Sequence, residues 1–177
     1  MKKGFSVRKM AQQGLFAATM AICAWIHIPF GDIAFTMQTF ALFLALFTLG
    51  GKGGSTAFLV YLLMGAVGLP VFSGFRGGMG ALVGATGGYL WGLALAGPVY
   101  WVLTRFYGEK AALPSAFLGM GLCYFLGTFW FLQAYAGDAG WWAVALKCVV
   151  PYLLPDTAKI LLARSLARRL QTVIGET

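Results

Sequence analysis

The stretch "LLPDTAKI", residues 153–160, puts a proline, a carboxylate and an ammonium into one of the most apolar tracts of the chain. What those residues mean depends on the solvent around them, and the composition identifies it. Of 177 residues, 60% are hydrophobic and 10% charged, and the mean hydropathy is +0.80. A soluble domain has about 25% charged and 45–50% apolar residues. A soluble core of this length cannot hide so much apolar surface, so lipid must solvate most of it. In such a tract an ionisable side chain costs about 2.5–3.5 kcal/mol on insertion scales and defaults to a functional reading.

Asp156 and Lys159 stand three apart, on one helical face, where each neutralises the other. Pro151 weakens the helix before them. The last tract therefore reads as an outer piece, "GWWAVALKCVV" (140–150), a bend, and a helix that opens at Asp156. Pro155 suits its first turn, and a carboxylate is favoured there. Two readings of the pair stay open: an ion pair that locks helices together, or a polar site for a ligand or a proton. Arg164 lies eight residues beyond Asp156, about 12 Å along a helix.

Working outward, a helix crossing the hydrocarbon needs about 20 apolar residues. Candidate spans are 10–28, 35–50, 55–69, 86–107 (kinked at Pro98), 115–135 and the last tract from near Gly140. Pro29, Gly31 and Asp32 end the first, and Pro70 closes the third. The basic N-terminus followed by an apolar run superficially resembles a signal peptide, but the run continues through Ile26 and Ile28, so it reads as an uncleaved first helix. Six spans with the N-terminus inside give inner segments holding Lys2, Lys3, Arg8, Lys9, Lys52, Arg105, Lys110, Arg164, Arg168 and Arg169. The outer loops hold only Arg76. That asymmetry predicts N-in/C-in topology. The expectation is an all-α integral membrane protein, one six-helix domain over residues 1–177, with a glycine-rich outer loop.

That loop, "PVFSGFRGGMGALVGAT" (70–86), carries five of the 25 glycines and is 17 residues long. Loops of such length are usually functional. Gly80, Gly84, Gly88 and Gly92 recur every four residues, a ridge for close helix packing or for backbone approach to a ligand. Ala17 and Ala21, like Gly14 and Ala18, form small-xxx-small pairs suited to internal packing or to docking of a partner subunit. Arg76 is a plain loop charge or the cation that meets a ligand carboxylate. Lys147 is expected to snorkel outward past Trp141 and Trp142, and Glu109 and Asp138 to be solvated loop charges.

Several functions are excluded. "GGKGGST" (50–56) fails the phosphate-loop spacing and reads as a tight inner turn. The +8 charge sits in clusters flanking spans, with no basic stripe for nucleic acid. Cys23, Cys123 and Cys148 are scattered singly and His27 is the only histidine, so no zinc site is available. Paired acids, HExxH and GxSxG are all lacking, so no catalytic residues are expected.

Three segments, "AFTMQTFALFLA" (34–45), "GLPVFSGFRGGMGALVGATGGYLWG" (68–92) and "PYLLPDTAK" (151–159), resemble the signature regions of the BioY family, the biotin-specific S components of energy-coupling factor vitamin transporters. Ala34 and Ala85 stand where that family often shows proline. The resemblance implies a multi-pass S-component-like bundle in a prokaryotic-type cell membrane. Such a subunit takes biotin as substrate, needs no cofactor, and works with a transmembrane coupling subunit and two ATPases while toppling in the membrane. It also implies that Asp156 and Lys159 contact the ligand's head and that Ala17 and Ala21 dock the coupling subunit. The chemistry is compatible. Asp156 can accept from ureido N–H groups and Lys159 can donate to the ureido oxygen. Phe72, Tyr89 and Trp91 can pack the rings, Gln38 or Thr39 can close the mouth, and Arg76 can meet the carboxylate. The competing function is a proton- or ion-coupled secondary transporter with Asp156 as relay. The chain's shortness and lack of an obvious inverted repeat count against it.

Overall fold

The computed structural model describes residues 6–30, 33–137 and 140–175. Lys2, Lys3, Gly31, Asp32 and Asp138 lie outside the described residues. The order is α1 (Val7–Trp25), β1 (His27–Phe30), β2 (Ile33–Thr36), α2 (Gln38–Ala66), α3 (Met79–Val83), α4 (Gly87–Tyr107), α5 (Ala112–Tyr135), α6 (Trp141–Cys148) and α7 (Val150–Gly175). The architecture is all-α apart from one short antiparallel hairpin, in which His27 pairs with Thr36. That hairpin takes in the end of the first candidate span (27–28) and the start of the second (35–36).

α2 contains the two short spans expected at 35–50 and 55–69. Gly50 has φ 74° and ψ 170°, a conformation that ends one helix and starts another. In a straight helix residues 46 and 54 would lie about 12 Å apart. Instead, a Cβ on Gly54 would sit 2.7 Å from the Leu46 Cα, so the chain doubles back. Within "GGKGG", Gly50 supplies the positive φ of the turn, Gly54 lets the two limbs touch backbone to backbone, and Gly51 lets α4 approach at Trp101. Among the described residues, two helical stretches are long and apolar enough to cross a membrane, Gln38–Ala66 and Glu109–Tyr135. Large apolar side chains such as Leu154, Trp142, Phe106 and Leu63 remain exposed, as a lipid-solvated surface requires.

The glycine ridge is shorter than its spacing predicts. α3 ends at Gly84, which is extended (φ −72°, ψ −177°), so residues 80 to 92 do not form one helix. Gly88 and Gly92 alone act in close packing, against α5: added Cβ atoms would lie 2.2 Å from the Trp130 Cβ and 2.6 Å from the Cys123 Cα. Gly80 has nothing within 4 Å. Gly92→Val must therefore force α4 and α5 apart. It is expected to lower the thermal midpoint of the purified chain by about 5–10 °C, with Gly80→Ala as a control that leaves it unchanged. An equal midpoint for both variants would mean that the α4–α5 contact is not tight.

α1 packs along α2 and buries Phe16, Ala17, Met20, Ala21 and Ala24. The small pair Ala17 and Ala21 thus faces the chain's own core, at 0% and 6% exposure, and not a free docking surface. Gly14 and Ala18, with Ala11, hold the exposed face.

The last helix opens six residues earlier than the expected start at Asp156. α6 ends at Cys148, Val149 is non-helical (φ −122°, ψ −54°), and α7 begins at Val150. Pro151 falls in the first turn of α7, where a missing N–H costs nothing. Asp156 stands in the second turn, beyond the reach of a cap, so side chains and not the helix terminus satisfy it. At the other end Arg164 pairs with Glu109 at 2.8 Å and lies over the Phe47 ring, so Glu109 is not simply a solvated loop charge. Lys147 is exposed.

Candidate functional site

Loops and helices converge on one cavity of about 790 Å³, part of it open to solvent. The hairpin contributes Ala34 and Thr36, and the glycine-rich loop contributes Phe72, Ser73 and Arg76. Gln38 and Thr39 come from the first turn of α2, Tyr89 from α4, Cys123 and Tyr124 from α5, and Tyr152, Asp156 and Lys159 from α7.

The loop's shape has identifiable causes. The Tyr61 hydroxyl donates to the Val71 carbonyl at 3.1 Å, and the Trp25 indole donates to the Pro70 carbonyl at 2.7 Å. Trp25 also stacks on Phe75, centroids 5.0 Å apart. Phe75 holds φ 56°, uncommon outside glycine. Phe75 is 62% exposed as a residue, and its ring is held by that stack. Phe72 folds inward and fills the space a side chain on Gly65 would need, with a Cβ there only 2.0 Å from the ring. Arg76 remains exposed beside it, its Nε donating to the Ser73 carbonyl at 3.1 Å.

The floor is polar and buried. Asp156 and Lys159 are 5% and 4% exposed, and Lys159 Nζ donates to Asp156 Oδ1 at 2.8 Å. Thr39 Oγ1 donates to the same oxygen at 3.1 Å, and the Tyr124 hydroxyl donates to Oδ2 at 2.6 Å. Lys159 Nζ also donates to the Thr36 carbonyl at 2.6 Å and lies 3.7 Å from the Phe35 ring centroid. Its three donors are therefore directed at a carboxylate, a carbonyl and an aromatic face. A buried charge pair is tolerable only when hydrogen-bonded in this way. Asp156 Oδ2 keeps an unused lone pair. Among the described residues of the cavity, the amide nitrogen of Gln38 is buried without a hydrogen-bond partner. Leaving a buried donor unmade costs about 1–3 kcal/mol.

All seven candidate ligand residues, Asp156, Lys159, Arg76, Gln38, Thr39, Phe72 and Tyr89, line this one cavity. Gln38 and Thr39 are buried at the base of α2 and do not close the mouth. Trp91 is not in the lining. It is 44% exposed, and its indole donates to the Leu82 carbonyl at 3.2 Å. Lys159 lines the cavity, but its donors are committed inside the protein. Sequence reasoning missed Tyr124 and Tyr152. A tyrosine inside an apolar span carries a hydroxyl that must find a partner, and "LCYFLG" offered that signal. Together the groups offer one carboxylate acceptor, one amide donor, aromatic walls and an arginine at the rim, suited to a small, mostly apolar molecule with a polar head and an anionic tail.

The family model described as "BioY family" matches residues 1–176. The biotin transporter BioY of Thermotoga maritima is 40% identical over 166 residues, 93% of this chain and 96% of the relative. The probable biotin transporter BioY of Pyrococcus horikoshii is 31% identical over 164 residues, again 93% and 96%. The fold is similar to the 2.1 Å crystal structure of the S-component for biotin from an ECF-type ABC transporter. The TM-score is 0.83 at 21% identity, covering 97% of this chain and 95% of that one.

Proposed function

Because this chain belongs to the BioY family, we propose that it is the biotin-binding membrane subunit of an energy-coupling factor importer. It is a membrane protein and a transporter component, not an enzyme. Biotin is its transported substrate, and no cofactor takes part. The observation that carries this reading is Asp156. A carboxylate held by three donors at the floor of a cavity keeps one lone pair for a ligand N–H. Biotin's ureido group supplies such an N–H. In the proposed pose the ureido head lies against Asp156, and Phe72, Tyr89 and Tyr124 flank the bicycle. The valeryl carboxylate runs to Arg76, whose exposed guanidinium keeps donors free of the Ser73 contact. Lys159, hydrogen-bonded to Asp156 Oδ1 and on the cavity lining, stands beside the carboxylate at the ligand's head.

We further propose a single six-span domain over residues 1–177, N-in/C-in, as a multi-pass protein of the plasma membrane. The reversal at Gly50, which turns α2 into two antiparallel limbs, supports that count. The ten inner basic residues support the orientation. A transmembrane coupling subunit and two ATPases would drive import, since "GGKGGST" lacks the spacing to hold nucleotide. The docking face would be the exposed side of α1, Gly14 and Ala18, in place of Ala17 and Ala21.

Calorimetric titration of the detergent-purified chain is expected to give tight one-to-one binding of biotin and none of thiamine or riboflavin. No binding to any of them would return the Asp156–Lys159 pair to the proton-coupled alternative.

A further inference from the structure

A second cavity, of about 350 Å³ and partly open to the surroundings, lies between α5 and α7. Helical spacing shapes it. Phe117 and Gly121 on α5, and Leu153 and Thr157 on α7, are pairs four residues apart that form an exposed rim. Met120 and Asp156 behind them are buried. The cavity is therefore a slot between two helices, and its mouth continues into the exposed side chains of Leu118 and Leu154. Gly121 keeps it open, since a Cβ there meets nothing within 4 Å. The hydroxyls around it are spent. Thr157 Oγ1 donates to the Leu153 carbonyl of its own helix at 2.7 Å, and Tyr124 donates to Asp156 Oδ2 at 2.6 Å. Met120, Tyr124 and Asp156 line this slot and the ligand cavity alike, so the two spaces share one wall.

We propose that the α5–α7 slot is a binding site for the acyl chain of one bilayer lipid, and that this chain supports the shared wall. The slot opens on the surface that lipid solvates, and hydrocarbon is what that solvent supplies. Left empty, it would cost Met120 and Tyr124 their dispersion contacts on one side. A helix, about 10 Å across with its side chains, could lie only over the rim, whereas a single alkyl chain enters. Packed there, the chain holds the Tyr124 ring in place and with it the Tyr124–Asp156 hydrogen bond across the two helices. Retention of substrate thus depends on lipid, a consequence that rests on the biotin reading.

The first test is native mass spectrometry of the full chain released from phosphatidylcholine nanodiscs. The unsubstituted chain should retain one phospholipid. Gly121→Leu fills the slot from within, at a position with room for the side chain, and should lower that retention at least about tenfold. Leu63→Ala, an exposed change on α2, should leave it unchanged. Equal retention in the unsubstituted chain and Gly121→Leu would overturn the site. The second test is the biotin dissociation rate in phosphatidylcholine nanodiscs and in digitonin, whose rigid steroid body cannot thread between the helices. For the unsubstituted chain the rate should rise up to about tenfold in digitonin, the worth of one hydrogen bond. Gly121→Leu should show no such rise, because the leucine stands in for the lipid chain. The same rise in both proteins would overturn the support of the wall. A chain that binds no biotin in either medium would overturn the functional reading, and the lipid count would still decide the slot.

Discussion

Asp156→Asn is expected to weaken biotin binding by about tenfold to a hundredfold, measured by calorimetry, and to lower the chain's thermal stability at the same time. The two effects have different origins. An asparagine retains one carbonyl oxygen for Thr39 and Lys159, but its amide nitrogen takes the place of Oδ2, so the lone pair offered to a ligand N–H is gone. A hydrogen bond to a charged group contributes about 1.5–3 kcal/mol, which corresponds to roughly ten- to a hundredfold or more in affinity. The loss of stability comes from Lys159, left as a buried ammonium with no counterion. Breaking such a pair costs about 3–5 kcal/mol. The double variant Asp156→Asn, Lys159→Met separates them. With the orphan charge removed, the thermal midpoint should recover while biotin binding stays lost. If binding returns with the midpoint, the pair is an ion-pair lock between elements and Asp156 is not a ligand contact.

Legibility in the sequence followed the range of the interaction. The membrane character was written in composition, and the apolar runs located α1, α4 and α5 to within a few residues because hydrocarbon thickness sets their length. The reversal at Gly50 was visible as two short spans around "GGKGG". The hairpin at residues 27–36 was not, because a four-residue strand on each side is too short to show alternation. The start of α7 was placed at Asp156 when the helix begins at Val150 with Pro151 in its first turn, since two prolines four apart fit a first turn equally well. At the site, Asp156 and Lys159 stood out because charges in lipid are rare. Tyr124 and the orphaned Gln38 amide did not, because their roles depend on contacts between residues far apart in the chain, such as Tyr124 with Asp156. The small-residue pairs on α1 show the same limit. Periodicity finds both Ala17/Ala21 and Gly14/Ala18, and only packing says which pair is buried.

That distinction yields the second large effect. Ala18→Trp is expected to leave biotin affinity of the purified chain unchanged and to reduce uptake by more than tenfold in cells that also supply the coupling module. Ala11, Gly14 and Ala18 fall at i, i+3 and i+7, one exposed face of α1, and a Cβ built on Gly14 meets nothing within 4 Å. In lipid, apolar surface gives helices no reason to associate, so a helical partner is held by close backbone approach, which small side chains allow and an indole blocks. Ala17→Trp should behave differently. Ala17 is 0% exposed between α1 and the core, so the indole has no space and both folding and binding should suffer. Intact binding with lost uptake for Ala18→Trp, against lost binding for Ala17→Trp, would place docking on the outer face. Normal uptake in Ala18→Trp would give that face to lipid and send the search for the docking surface to another helix.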